Sequence, residues 1–210
     1  MRTLLTSIKN EDAFNKTLVM ALAIGVMTIL LVLNVQKSND MTLFSIGTFL
    51  GGMGNDLFLI ISNLIIISWA WQKKIKSVIK MTLFLDLLVW ILVQGIKLLK
   101  IEPWYLRPNG GTGGFPSGHA THAFGMAFLL SLYFPRLSWL WYACAVAISW
   151  SRMETDWHTG FQIAAGIIMG IGLAWVLVAK WLTHPDAAII KTKMIDQEQK
   201  VAVRQSYIAE

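Results

Sequence analysis

This chain is poor in charged side chains and has a single cysteine. Only 14% of its 210 residues are Asp, Glu, Lys or Arg, whereas a soluble domain carries about 25%. Because 55% of the residues are hydrophobic and the mean hydropathy is +0.56, the shortage excludes an ordinary water-soluble domain and indicates lipid as the solvent. A single cysteine, Cys144, excludes an internal disulfide.

Patterns for metal and nucleotide binding are also missing. The sequence has no His-Glu-x-x-His, no cysteine pair and no cluster of carboxylates, so we predict neither a metal nor another cofactor. The glycine-rich run at 109–114 does not match the Gly-x4-Gly-Lys-Ser/Thr nucleotide loop. The net charge of +6 does not indicate nucleic-acid binding, since most Lys and Arg flank hydrophobic segments, where they act as topology signals.

Six hydrophobic segments approach the length of a bilayer span. A span needs about 20 residues, and it must be helical because unpaired backbone groups in lipid are too costly. The segments cover roughly residues 17–35, 56–71, 77–99, 118–134, 137–150 and 160–182. We therefore predict an all-α integral membrane protein with six transmembrane helices in a domain over 1–182, followed by a polar cytoplasmic tail over 183–210.

The positive residues indicate the orientation of these helices. With the amino terminus in the cytoplasm, only Lys37, Lys97, Lys100, Arg107 and Arg152 of the 18 Lys and Arg fall on the outer side. This distribution fits the positive-inside rule and makes both termini cytoplasmic. On the outer side, the glycine-rich stretch 36–55 predicts either a short helix that caps the site or an ordinary loop.

Three polar clusters then share the outer face. They are Lys100 with Arg107-Pro108, then Pro116-Ser117-Gly118-His119, then Ser151-Arg152 with His158. Phosphoryl transfer needs cations for the phosphoryl oxygens, a nucleophile and a proton for the leaving oxygen. The clusters contain groups of all three kinds, so the sequence predicts a phosphate-handling active site on the outer-face loops, provided that the clusters meet in space.

At these residues the chain resembles the type 2 phosphatidic acid phosphatase superfamily. The family motifs read Lys-x6-Arg-Pro, Pro-Ser-Gly-His and Ser-Arg-x5-His-x3-Asp, and the three clusters match them in order. One position departs, because Gln162 stands where the family has Asp. The amide oxygen of Gln162 can accept the imidazole N–H but supplies no charge, and Asp156 and Glu154 are candidate replacements for the missing carboxylate.

The resemblance implies the catalytic roles. His158 would attack phosphorus and form a phosphohistidine that water later hydrolyses. His119 would be the general acid that protonates the leaving oxygen. Gln162 would stand in the place of the family's orienting residue.

The resemblance also implies the phosphate-binding residues. Lys100, Arg107 and Arg152 would bind the phosphoryl oxygens, the two arginines through planar paired donors and the lysine as a point charge. Ser117 and Gly118 lead into a helix whose first N–H groups favour an anion. Ser117 also fits an ordinary helix N-cap.

The resulting prediction is a metal-independent membrane phosphatase acting on a phosphorylated lipid at the periplasmic face of a bacterial inner (plasma) membrane. The apolar chain of the lipid would stay in the bilayer while its headgroup reaches the loops. Undecaprenyl diphosphate, phosphatidic acid, phosphatidylglycerol phosphate and lipid A phosphates all satisfy that geometry. Two alternatives stay open: a phosphotransferase with a second lipid as acceptor, and a non-catalytic lipid-binding or transport protein that Gln162 has disabled.

Overall fold

The computed structural model describes residues 2–182 of the chain, with side chains from residue 12 onward, so the predicted tail 183–210 lies outside the described residues. Within that range a π-helical turn, Leu50–Gly54, joins two helices and a short 3-10 turn, Pro135–Leu137, separates two others. The α-helices are α1 Arg2–Asn34, α2 Met41–Phe49, α3 Asn55–Gln72, α4 Lys76–Leu98, α5 Gly118–Tyr133, α6 Ser138–Glu154 and α7 Gly160–Leu182. The all-α prediction is confirmed for the described residues.

Each predicted hydrophobic segment coincides with one of these helices, and the second segment is longer than expected. Residues 41–72 form one apolar helical run because the π-helical turn continues α2 into α3. Within the described part of the chain, four runs are long and apolar enough to cross a membrane: Asp12–Asn34, Met41–Gln72, Lys76–Leu98 and Gly160–Leu182. These four identify a membrane protein, whereas the count of six spans stays a prediction because α5 and α6 have only 16 and 17 residues.

Helix α5, which is shorter than the four candidate spans, lies at the centre of the bundle. It packs against α1, α3, α4, α6 and α7, and its side chains Phe124, Met126, Phe128, Leu129 and Leu130 are fully buried. At 1.5 Å per residue it is about 24 Å long, less than the roughly 30 Å hydrocarbon core. Its neighbours cover it, so its length does not have to match that of the lipid chains.

Local sequence explains where α2 begins and why the chain between α4 and α5 is not helical. Asp40 begins α2 because its carboxylate accepts the backbone N–H of Thr42 at 2.7 Å, a standard N-cap contact. The connection between α4 and α5 contains Pro103, Pro108 and Pro116, which disfavour a continuous helix. It is therefore a non-helical loop at the end of the bundle where the polar clusters lie.

Two glycines bring α7 into direct contact with the start of α5. A Cβ at Gly166 would lie 2.5 Å from the carbonyl oxygen of Ser117, and one at Gly170 would collide with that of Thr121. Only glycine permits this approach, and small residues of this kind allow close packing of helices in membranes. The contact also lets the N–H of Ser117 donate to the carbonyl of Gln162 at 3.0 Å, which joins the second and third motif clusters.

Candidate active site

One cavity of about 370 Å³ gathers residues that lie far apart in the sequence. Its wall includes Lys97 from the last turn of α4, Arg107 from the following loop and His119 from the first turn of α5. It also includes Arg152 from the last turn of α6 and His158 from the α6–α7 connection. The structure thus places two imidazoles and three cationic side chains around one space, and among the described residues that line it none is acidic.

His158 is oriented by two oxygen atoms near the same ring nitrogen. Its Nδ1 lies 2.7 Å from the carbonyl oxygen of Gly114 and 3.3 Å from Oε1 of Gln162. Both oxygens only accept hydrogen bonds, so Nδ1 carries the hydrogen and Nε2 keeps its lone pair. Nucleophilic attack on phosphorus requires this tautomer.

The surroundings of His158 also keep its ring neutral. Burial, together with the positive charges of Arg152, Arg107 and Lys97, lowers the pKa of His158 to about 3. Burial lowers the pKa of Arg107 as well, although a guanidinium stays protonated at physiological pH. The cavity therefore combines a neutral imidazole with like charges that repel one another, an arrangement that a bound anion would relieve.

The indole of Trp157 contacts both arginines. The guanidinium carbon of Arg107 lies 4.8 Å from the ring centroid and that of Arg152 lies 5.0 Å from it, both within the cation–π range. Arg107 also donates to the carbonyl of Gly113 at 3.3 Å, and Arg152 donates to that of Gly51 at 2.8 Å. Sequence reasoning missed this use of Trp157, for which the only available signal was its place beside the motif histidine.

The stretch between α1 and α3 forms a wall of the cavity. Thr48, Gly51 and Gly52 line it. The sequence left two forms open for the segment 36–55, a loop or a helix that covers the site, and the structure shows the helix. A Cβ at Gly51 would lie 2.6 Å from Nη1 of Arg152 and 2.9 Å from Oγ of Ser151. The π-helical turn, a feature frequent at functional sites, therefore allows Arg152 to reach the backbone only because residue 51 is glycine.

A different lysine from the predicted one lines the cavity. Lys100 follows the last turn of α4 with a φ of +48°, is exposed, and is not among the residues that line the cavity. Lys97 lies about one helical turn earlier, is half-buried, and does line it. The motif spacing predicted Lys100, whereas the lysine that lines the cavity is Lys97, in the last turn of α4. The role of Lys100 stays a prediction.

His119 lies between the first cavity and a second one of about 250 Å³. The second cavity is also lined by Asp56, Gln94, His122 and Gly118. It adjoins an apolar groove of about 510 Å³ between α3, α4 and α5, whose lining residues are Leu59, Ile60, Asn63, Leu64, Ile67, Asp86, Trp90 and His122. One side of His119 therefore meets the cationic cavity, and the other leads toward an apolar groove.

The start of α5 places Ser117 and Gly118 in different surroundings. Ser117 is fully buried, has the extended backbone of an N-cap, and makes no side-chain cap hydrogen bond. It does not line either cavity, whereas Gly118 lines the second one. Anion binding by these two residues stays a prediction.

Gln162 uses both ends of its amide group. Its Oε1 accepts the backbone N–H of Thr159 at 3.0 Å and lies near the imidazole of His158. Its Nε2 donates to the carbonyl oxygens of Trp104 and Leu106 at 2.7 and 2.8 Å. The residue that departs from the family motif therefore contacts four partners: His158, Thr159, Trp104 and Leu106.

The two carboxylates suggested as substitutes for the family's Asp have other partners. Asp156 forms an ion pair with Lys37, and Glu154 accepts the backbone N–H of Ser38 at 3.2 Å. Both contacts direct the carboxylates toward the connection between α1 and α2. They stabilise the cavity wall formed by that segment, which gives them a role separate from orienting His158.

Comparisons with known proteins agree with the motifs. The family model of the PAP2 superfamily matches residues 17–185. The chain is 33% identical over 90 residues to the "Bacitracin transport permease protein BcrC" of Bacillus licheniformis, a match that covers 43% of this chain and 42% of the relative, less than half of its length. No solved structure matches the chain significantly. Because the family model covers most of the chain, and because each of the three motifs contributes at least one residue to one cavity, the chain belongs to the PAP2 superfamily.

Proposed function

We propose that this protein is a membrane phosphatase that hydrolyses a phosphate or diphosphate ester of a lipid through a phosphohistidine intermediate. The observation that carries the proposal is the orientation of His158, whose Nδ1–H faces a backbone carbonyl while the ring lines a cavity rich in cations. Members of the PAP2 superfamily are phosphatases acting on lipid phosphates, which supports the same reaction here. The proposed steps use only side chains that line the two cavities.

Substrate binding places the phosphoryl group in the larger cavity. Arg107 and Arg152 both place planar guanidiniums against the ring of Trp157, and such groups match paired phosphoryl oxygens. Lys97 adds a third positive charge where the two cavities meet. These cations can neutralise the charge that a divalent metal ion neutralises in other phosphotransfer enzymes, so we expect full activity in the presence of chelator.

The chemical step follows from the positions of the two histidines. Nε2 of His158 attacks phosphorus, the bond between phosphorus and the leaving oxygen breaks, and His119 donates a proton to that oxygen. The lipid alcohol, or the lipid monophosphate if the substrate is a diphosphate, leaves through the second cavity. Water then attacks the phosphohistidine, His119 accepts a proton from that water, and orthophosphate is released.

The apolar groove supports a lipid as the leaving group. Its walls are formed mainly by aliphatic side chains of α3 together with Trp90 of α4, and it adjoins the cavity on the leaving side of His119. An apolar chain lying in this groove would keep its headgroup at the histidines without leaving the bilayer. The proposal therefore covers undecaprenyl diphosphate, phosphatidic acid, phosphatidylglycerol phosphate and lipid A phosphates.

The arrangement of the elements around the site supports the predicted topology. The carboxyl ends of α4 and α6 and the amino end of α5 line the cavity, and His158 lies two residues before the start of α7, as expected if α4 to α7 run alternately up and down. With six spans and cytoplasmic termini, the site lies on the outer face of the inner membrane. Labelling of Asn109→Cys by a membrane-impermeant maleimide in intact cells, in a Cys144→Ala background, tests this; labelling only after permeabilisation would reverse the orientation.

The decisive experiment measures phosphate release by purified protein from a panel of lipid phosphates and diphosphates. Parent protein should turn over at least one substrate and form a covalent phosphoenzyme, and His158→Ala should do neither. His119→Ala should lose turnover most strongly with substrates whose leaving group is poor. The control His184→Ala, outside the described residues, should match the parent. Equal rates for His158→Ala and the control would refute the mechanism.

Lipid binding or transport without catalysis is a second candidate function. The name of the Bacillus licheniformis relative refers to bacitracin transport, although less than half of that protein is matched. Tight binding of a lipid phosphate by both parent and His158→Ala, with no phosphate released by either, would favour this function. A phosphotransferase would instead move radiolabelled phosphate from donor to acceptor lipid, and the label would not appear as orthophosphate.

A further inference from the structure

We infer that Gln162 is a positioning residue in which the amide is required, so that the carboxylate found at this place in the family motif would impair this enzyme. The inference rests on the proposed function, because it concerns the orientation of the proposed nucleophile. It reverses the expectation that Gln162 marks a weakened site. The evidence is the set of hydrogen bonds around its amide.

The backbone around Gln162 determines which end of the amide faces which partner. The carbonyls of Trp104 and Leu106 can only accept, and each lies within 2.8 Å of the same amide atom, so that atom must be the nitrogen. The N–H of Thr159 can only donate, and it lies 3.0 Å from the other atom, which must be the oxygen. With an exposure of 1%, Gln162 has no water to replace these partners.

A backbone carbonyl already performs the task of the family's carboxylate. The oxygen of Gly114 lies 2.7 Å from Nδ1 of His158, closer than the 3.3 Å of Gln162 Oε1. Gly114 is held in turn, because its N–H donates to the carbonyl of Tyr105 at 2.8 Å. A Cβ at Gly114 would collide with the amide of Gln162, so Gly114, His158 and Gln162 are packed directly against one another.

A carboxylate at position 162 would break this arrangement in two ways. In Gln162→Glu, which keeps the shape of the side chain, an oxygen would replace the NH₂ group and face the carbonyl oxygens of Trp104 and Leu106. Both carbonyls would lose their donor in a buried place, which is costly. Gln162→Asp would lose the same two contacts because its side chain is one methylene shorter and carries no donor.

The consequence reaches the phosphate-binding side of the cavity. Leu106 directly precedes Arg107, so the hydrogen bond from Gln162 to its carbonyl holds the backbone beside that guanidinium. Release of this segment would misplace Arg107 while the negative charge disturbs His158. We therefore expect each carboxylate variant to lower kcat/KM at least tenfold, which corresponds to about 1.4 kcal/mol of transition-state stabilisation.

The experiment compares parent, Gln162→Glu, Gln162→Asp and the matched control Gln72→Glu, an exposed position at the end of α3. Phosphate release from the best lipid substrate gives kcat and KM separately across pH 5 to 9. Both variants at position 162 should lose rate, and the acid limb of Gln162→Glu should move to higher pH because a nearby carboxylate favours the imidazolium form of His158. A Gln162→Asp enzyme as fast as the parent would overturn the inference.

A thermal arm separates this inference from the proposed function. If the parent releases no phosphate from any lipid, the proposed function fails, and the melting temperatures of the same four proteins in detergent decide the role of the amide. Gln162→Glu should then melt well below both the parent and Gln72→Glu. An unchanged melting temperature for Gln162→Glu would overturn the inference, even if the enzyme proves inactive or if Gln162→Asp does not fold.

Discussion

Replacement of Trp157 by alanine removes the ring that lies against Arg107 and Arg152, the two arginines proposed to bind phosphate. The indole is 41% exposed, so each cation–π contact is worth the exposed-site value of about 0.5 to 1 kcal/mol. Two contacts together contribute about 1 to 2 kcal/mol, which is a factor of roughly 5 to 30. We expect kcat/KM of Trp157→Ala to fall by that factor, because both guanidiniums become free to leave the positions that bind the phosphoryl oxygens.

The assay is steady-state phosphate release from a lipid phosphate, with two companion variants. Trp157→Phe keeps an aromatic face and should retain part of the lost activity, since phenyl rings bind cations less strongly than indole. Trp139→Ala removes an indole that is 68% exposed at the start of α6 and should match the parent. The reasoning would be refuted if Trp157→Ala kept full activity, or if the Phe and Ala variants lost activity equally.

Three further predictions test other parts of the cavity. Gly51→Ala should lower kcat/KM at least tenfold because its methyl group would lie 2.6 Å from Nη1 of Arg152. The control Gly172→Ala, whose methyl group would meet open space, should keep the parent's kcat/KM. Equal rates for the two variants would contradict the role of the π-helical turn. Lys97→Ala should reduce the rate of phosphate release roughly 100-fold, whereas Lys100→Ala should reduce it little. The opposite order would support Lys100, the lysine that the motif spacing predicts, as the phosphate-binding residue. Since burial lowers the pKa of His158 to about 3, its NMR resonances should not titrate between pH 5 and 8. Below the unfolded-state pKa of about 6.5, the unfolded chain binds a proton that the native chain does not. His158 should therefore reduce the free energy of unfolding by up to about 1.4 kcal/mol per pH unit as the pH falls. An NMR titration midpoint near pH 6.5 for the native His158 ring would contradict this expectation.

Much of the architecture followed from hydrophobicity alone. Long apolar runs in a chain with few charges must be helical in lipid, so the positions of α1, α4 and α7 could be read from the sequence. The extent of the second run could not, because glycines 47, 51, 52 and 54 suggest a break in a soluble-protein context. The structure continues the helix through them with a π-helical turn. At Gly51 the absence of a side chain leaves room for the guanidinium of Arg152 to reach the backbone.

The two histidines of the proposed catalytic pair were predictable because short motifs keep reactive groups at fixed distances along the chain. His119 and His158 lie in such motifs, and the structure places both at one cavity. The motif lysine shows the limit of that reasoning, since spacing identified Lys100 while the end of α4 presents Lys97. A shift of three residues is almost one helical turn, so the two side chains would share a face if the helix continued. Because α4 ends at Leu98 and Lys100 has a φ of +48°, only Lys97 lines the site.

The sequence by itself determined that the chain is a membrane-embedded helical protein with a phosphate-handling motif set, because composition, hydrophobic length and motif spacing are properties of the chain alone. Only the tertiary structure showed that the carbonyl of Gly114 joins Gln162 in orienting His158 and that the ring of Trp157 contacts two arginines. The carbonyl of Gly114, the amide of Gln162 and the ring of Trp157 act on partners up to 58 residues away. Hydrogen bonds and ring contacts of this kind depend on distances in space, which helix packing sets and which no local pattern of residues records.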